Sequence, residues 1–327
     1  MLVTQKESVR KSYDRYNNNL TREVGLYGTD TGHHDINLII GGHVPTKITS
    51  IGGRSGHGKS ALVVQMCEAA AKGERLSEIL MYSWEMEASY MADRYVCYKV
   101  GITLPELRYS RILPQTIKDK IREAYKEAST FPVSYHHYST NIENVLKTNE
   151  TFLEGVRKKE MISGKKIQPV MILDFVGMTT GGAKYGNRTY DIGDFMQKLK
   201  QNLNDTGMSA IILAQINRTA DHKDYPDVTD FSDSQFIEQN SDTVMILDRP
   251  EYRRKENIKD PETGGDIPSK GLAMIRVVKN REGQVKDVLV RCDISKFRFW
   301  NRDMVFGQDY RSLYNDEMFW KRLYQLQ

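Results

Sequence analysis

The residues from Gly53 to Ser60, Gly-Arg-Ser-Gly-His-Gly-Lys-Ser, carry the strongest chemical signal in this chain. A glycine-rich turn ending in Gly-Lys-Ser can aim successive backbone N–H groups at phosphate oxygens, and a helix N-terminus behind it adds partial positive charge. The spacing is that of a nucleoside-triphosphate loop. Lys59 is expected to reach the β- and γ-phosphates of ATP, and Ser60 to hold Mg²⁺. Gly53, Ser55, Gly56, His57, Gly58, Lys59, Ser60 and Ala61 form the expected nucleotide-binding set. Context argues against a chance match. Lys47-Ile-Thr-Ser-Ile51 is β-branched and predicts a strand, and Ala61 to Lys72 predicts a helix.

Other polar residues sit where such chemistry needs them. Asp174 follows four apolar residues at the end of Val170-Met-Ile-Leu-Asp174, the place of an acid that holds Mg²⁺ through water. Hydrolysis also needs a group to deprotonate or orient water. Phe175 follows the acid, so the carboxylate must come from elsewhere. Glu85 closes the strand after the loop helix and is the candidate base; Glu87, farther past the strand, is its rival. Gln215 ends another apolar run, where a neutral amide can report loss of the γ-phosphate. Lys279 and Arg281, two apart on an extended segment, face one way and can bracket a transferring phosphate, although a solvated hairpin tip would look the same.

These residues require a scaffold of alternating elements. Strands are expected at Ile79–Trp84, Phe131–Tyr138, Val170–Asp174, Ala210–Gln215 and Thr243–Leu247. Helical patterns lie between them at 114–129 and 141–160, and through Ile192, Phe195, Met196, Leu199 and Leu203. This alternation predicts an α/β fold, a mostly parallel sheet with helices on both faces. Asp35–Ile40 reads as a short apolar piece of a connecting region, and Arg249–Lys270 as a long surface loop. Leu272–Val278 and Val285–Cys292 alternate like an antiparallel pair that extends the sheet at its C-terminal side. Val9, Tyr13, Tyr16 and Leu20 trace a thin apolar stripe at helical spacing in a polar arm. The expected division is an arm at 1–27, an ATPase core at 28–300 and an aromatic tail at 301–327.

The bulk composition narrows the class. The chain has 327 residues, room for one large α/β domain or two small ones. A net charge of +4 is too small to argue for nucleic acid on its own. Three widely spaced cysteines form no disulfide framework and fit a reducing cytosol. No apolar run approaches a membrane span, and Met1-Leu-Val-Thr-Gln-Lys-Glu lacks a signal-peptide core, so a cytoplasmic protein with no membrane partner is expected. Adjacent histidines (His33-His34 and His136-His137) would point to opposite faces of a strand and suggest no metal site.

Taken in order over about Gly28–Phe299, the set resembles the RecA-like motor domain of DnaB-type hexameric replicative helicases. The resemblance rests on Gly53–Ser60, Ser83-Trp-Glu-Met86, Met171-Ile-Leu-Asp174, Leu213-Ala-Gln-Ile-Asn-Arg218, Ile237-Glu-Gln-Asn-Ser-Asp242 and Lys279-Asn-Arg281. The 213–218 and 237–242 stretches are the family-specific ones. The resemblance implies Glu85 as catalytic base, Asp174 on Mg²⁺, Gln215 sensing the γ-phosphate, and Arg281 with Lys279 acting in a neighbouring subunit's site. It implies a homo-hexamer around single-stranded DNA, with a helicase loader and primase as further partners. Two loops would line the channel. Thr179–Arg188 offers Lys184, Tyr185 and Arg188; the loop from about Thr229 to Gln235 offers Ser232, Asp233 and Gln235. Ser232 stands where the family typically has an arginine. About 27 residues precede the core, where the family has a helical N-terminal domain; this puts primase docking in doubt and fits a compact phage- or plasmid-type enzyme working in a bacterial host. The competing readings are a RadA-like recombination or branch-migration motor, a non-motor ATPase switch, and a DNA-packaging motor for whose nuclease there is no room.

Overall fold

The computed structural model describes residues 4–20, 26–73, 75–138, 141–174, 188–217, 220, 223, 225–231 and 234–302. Gly28–Phe306 make one compact unit; Met1–Tyr27 belong to another. Within the latter, helix α1 (Gln5–Leu20) leaves Val9, Tyr13 and Tyr16 on an exposed face.

The larger unit is built on a nine-stranded sheet. In chain order its strands are β1 (Ile48–Gly53), β2 (Ser77–Ser83), β3 (Val133–His136), β4 (Gln168–Asp174), β5 (Ser209–Gln215) and β6 (Thr243–Asp248), followed by β9 (Leu272–Asn280), β10 (Lys286–Asp293) and β11 (Arg298–Asn301). The spatial order is β11-β10-β9-β6-β1-β5-β4-β2-β3. β6, β1, β5, β4, β2 and β3 run parallel, and β9, β10 and β11 extend the sheet antiparallel.

The central strands are apolar on both faces because helices cover both, as a parallel sheet demands. Side chains alternate between two cores. Ile51, Ile79, Met81, Ile172 and Leu213 meet helices α3 (Lys59–Lys72), α4 (Ala88–Val100) and α6 (Gln115–Ala128). Ile48, Leu80, Tyr82, Met171, Leu173 and Ile212 meet α7 (Ile142–Ser163) and α8 (Arg188–Thr206). The 3.6-residue stripe of Ile192, Phe195, Met196, Leu199 and Leu203 is wholly buried there. The short helix α5 (Leu104–Arg108) starts on a reciprocal cap: Thr103 accepts from the Glu106 backbone, and the Glu106 carboxylate accepts from the Thr103 N–H.

Three expectations need correction. Asp35–Ile40 lies within a helix, α2 (His34–Ile40), which Gly41 ends in the left-handed conformation. His33 and His34 therefore open a helix and do not lie on a strand; both are buried. The stretch 249–270 is no plain loop. It holds a 3-10 turn (Pro250–Arg253) and an antiparallel pair, β7 (Asn257–Lys259) with β8 (Asp266–Pro268).

Candidate nucleotide and catalytic site

The loop leaves β1 at Gly53 and enters α3 at Lys59. Gly56 (φ 81°) and Gly58 (φ 102°) hold backbone that L residues rarely adopt. A Cβ on Gly58 would also lie 2.7 Å from Ile294 and 2.8 Å from Phe299, so β11 and the turn before it close the loop from behind. The Lys59 ammonium donates to the loop's own carbonyls, Gly53 at 2.7 Å and Arg54 at 3.3 Å. Ser55 and Gly56 are exposed at the tip, while His57 and Ala61 are buried beneath it. The His57 ring meets Tyr252 edge-on at 5.3 Å, and burial lowers its pKa to about 4. The imidazole is thus neutral at pH 7, and its Nδ1 accepts from the Arg249 N–H at 3.3 Å.

Strand pairing brings the acids to the loop. Ser83 of β2 is abreast of Asp174 of β4, and the Trp84 N–H donates to the Asp174 carbonyl at 3.1 Å. The Ser60 hydroxyl donates to the Asp174 carboxylate at 3.3 Å. Burial, and then the charge of Glu85, raise the Asp174 pKa to about 6, against the pull of Lys59, Ser60 and Arg94. Burial likewise lowers Lys59, offset by Asp174 and Glu85. A buried carboxylate with too little positive charge around it, beside a hydroxyl, is a hard-oxygen pair suited to a divalent cation such as Mg²⁺. Glu85 is exposed just past β2. Gln215 is abreast of Gly53 at the end of β5 and half-buried.

Sequence reasoning missed Arg94 and the loop's rim. Arg94, on α4, lies 5.3 Å over the Phe297 ring and within electrostatic reach of Asp174 and Glu85. Arg249 donates to the Gly56 carbonyl at 3.2 Å and lies over the Tyr252 ring. A lone arginine in a helix and a charged loop carry no pattern that would single them out.

Lys279 and Arg281 are not brought to this loop. β9 runs against β6, so they lie abreast of the start of β6 and hence of β1. Lys279 donates to the Glu238 carbonyl and Arg281 to that of Gln239 at 2.8 Å, near the C-terminal end of α9 (Ser234–Asn240). Of the expected DNA-contacting residues, Lys184, Tyr185, Ser232 and Asp233 lie outside the described residues. Arg188 opens α8 and Gln235 lies in α9, with their side chains outside the description.

Over residues 28–301 the sequence matches the family described as the DnaB-like helicase C-terminal domain. The chain belongs to that family. It is 23% identical over 296 residues to the replicative DNA helicase DnaB of Leifsonia xyli, covering 88% of this chain and 59% of that protein. It is 23% identical over 297 residues to DnaB of Haemophilus influenzae, covering 90% and 59%. The chain therefore spans about three-fifths of the length of these relatives. In three dimensions it resembles a solved ATPase domain, with a TM-score of 0.76 at 17% identity, covering 93% of this chain and all of that one. It also resembles a DnaB-like replicative helicase solved for its interactions with primase, with a TM-score of 0.75 at 16% identity, covering 93% and 68%. Membership of the DnaB-like family does not favour the recombination-motor reading.

Proposed function

We propose that this chain is the motor of a ring-forming DNA helicase. It binds ATP and Mg²⁺, hydrolyses ATP at the interfaces between copies of itself, moves along single-stranded DNA and separates duplex. The observation that carries shared sites is the placement of the two cations. The phosphate loop leaves one end of β1, and Lys279 with Arg281 lie by the other. Five strand steps span roughly 16 Å, more than a side chain reaches. A neighbouring copy is the natural recipient of these cations.

Within the site, Lys59 neutralises the β- and γ-phosphates, and Ser60 and Asp174 hold the metal. Mg²⁺ supplies further charge neutralisation of the phosphate oxygens when bound. Glu85 takes the proton of the attacking water, and Gln215 reads the γ-phosphate. Beyond Gln215 the strand continues into Ile216, bridged to Phe231, and Asn217, whose N–H donates to the Asp230 carbonyl at 2.7 Å. The γ-phosphate sensor is thereby joined to the loop from Thr229 to Gln235. That loop, with Ser232, Asp233 and Gln235, and the one bearing Lys184, Tyr185 and Arg188 grip the DNA backbone. The exposed stripe of α1 docks on an adjacent subunit in a hexamer that works in the bacterial cytoplasm, where a loader and a primase are its natural partners.

The test is ATPase activity in Mg²⁺ with and without single-stranded DNA. Stimulation by DNA, abolished by chelating the metal, is expected. A rate unmoved by DNA would point instead to a non-motor switch.

A further inference from the structure

The stretch Ile237-Glu-Gln-Asn-Ser-Asp242 is family-specific, yet no step above uses it. Its geometry gives it a task. The Glu238 carbonyl receives Lys279, the Gln239 carbonyl receives Arg281 at 2.8 Å, and the Asp242 carbonyl receives the Arg281 N–H at 3.0 Å. Carbonyls near a helix C-terminus carry partial negative charge and favour cations. The Asp242 carboxylate completes the cradle. It is almost wholly buried and lies 3.7 Å from the Arg281 guanidinium, with Lys200 bound to its other oxygen.

The same carboxylate is tied to the strand that carries the phosphate loop. It accepts from the Ile48 N–H at 2.9 Å, and the Asp242 N–H donates back to the Ile48 carbonyl at 2.9 Å. Next to it, the buried hydroxyls of Ser241 and Ser50 lie 2.7 Å apart. At the other end of β1, the Phe231 ring packs on Gly52 so closely that a Cβ there would lie 2.3 Å from it. The chain from Phe231 to Asp242, α9 included, is therefore anchored at both ends on β1.

We propose that Asp242 is the positioning residue of the trans-acting cations, fixing Arg281 to the foot of the subunit's own nucleotide strand. Each copy would then present its cations to a neighbour in register with its own phosphate loop. The proposal rests on the shared-site reading above, and the test separates the two.

Asp242→Asn keeps an acceptor for the Ile48 N–H and removes the charge facing Arg281. Binding of a fluorescent ATP analogue should stay near the wild-type level. The kcat should fall roughly twofold to fivefold, the loss expected from an ion pair at 3.7 Å to a half-exposed guanidinium. Mixing with Lys59→Ala protein, whose cations are intact, should restore activity, because an Asp242→Asn loop then meets a correctly placed Arg281. Arg281→Ala mixed with Lys59→Ala is the control for sharing. A wild-type kcat for Asp242→Asn would overturn the proposal. So would a loss that Lys59→Ala protein fails to rescue in mixed rings where Arg281→Ala is rescued, since that marks damage to the variant's own site. If Arg281→Ala is not rescued either, the shared-site reading fails and this proposal with it. Should Asp242→Asn not assemble, Asp242→Glu keeps the charge and displaces it by one methylene. A lowered kcat that is rescued supports the proposal; an unrescued one overturns it.

Discussion

Lys59, Glu85 and Asp174 lie in three different electrostatic situations, and that separates what their loss should do. Lys59→Ala removes the charge on the phosphates and should abolish tight triphosphate binding. If Glu85 is the base, as proposed, Glu85→Gln should bind ATP normally and lose turnover, because only the proton acceptor is gone. A Glu85→Gln enzyme at the wild-type rate would place the base elsewhere. Asp174 makes a stability claim. Its folded pKa of about 6 lies above the ordinary 3.8. The fold thus binds this proton more readily than the unfolded chain. The resulting stability is complete below about pH 4 and is lost as pH rises through 6. Asp174→Asn, which never ionises, should therefore be more stable than wild type near pH 7.5, by on the order of 2–3 kcal/mol at most. The gap should close by pH 4. Urea melts at the two pH values test this, and an equal gap at both would reject the burial argument.

At the scale of elements, two glycines make a paired test. Gly52 lies under Phe231 with no room for a methyl group. Gly52→Ala should cost about 1–3 kcal/mol through overpacking. Gly155, inside α7, has open space where a methyl group would point, with nothing within 4 Å, so Gly155→Ala should stabilise by about 0.5–1 kcal/mol. Opposite shifts of the urea midpoint are expected. Elements were legible in the sequence wherever burial leaves a long period. Val170–Asp174 is apolar up to its acid because both faces of β4 are covered, and the α8 stripe spans five buried positions. β7 and β8, at three residues each, are too short to show a period. α2 was hidden for a related reason: Ile36, Asn37 and His34 are all buried, so its inward face mixes polar with apolar residues. Within the site, the loop, Ser60 and Asp174 announce themselves by spacing. Arg94 does not, because it gains its meaning from Phe297, which is remote in sequence.

At the scale of the whole molecule, the proposed ring must hold its track. If the loop of Lys184 and Arg188 grips backbone phosphates, replacing both with alanine should weaken single-strand binding about equally for all sequences. It should also flatten the salt dependence by roughly 0.7 in log–log slope for each phosphate the variant no longer neutralises. Basal ATPase should persist while its stimulation by DNA falls. Unchanged affinity and slope would leave Thr229–Gln235 as the channel loop. Loop and cations lie at opposite ends of β1. Under the proposed sharing each subunit has a donor side and an acceptor side, so contact between copies is head-to-tail. An open row of such copies always leaves one loop without cations at one end and one pair of cations idle at the other. Closure completes the missing site. Turnover per subunit should therefore rise with each copy added to a short row and reach its ceiling when the row becomes a circle.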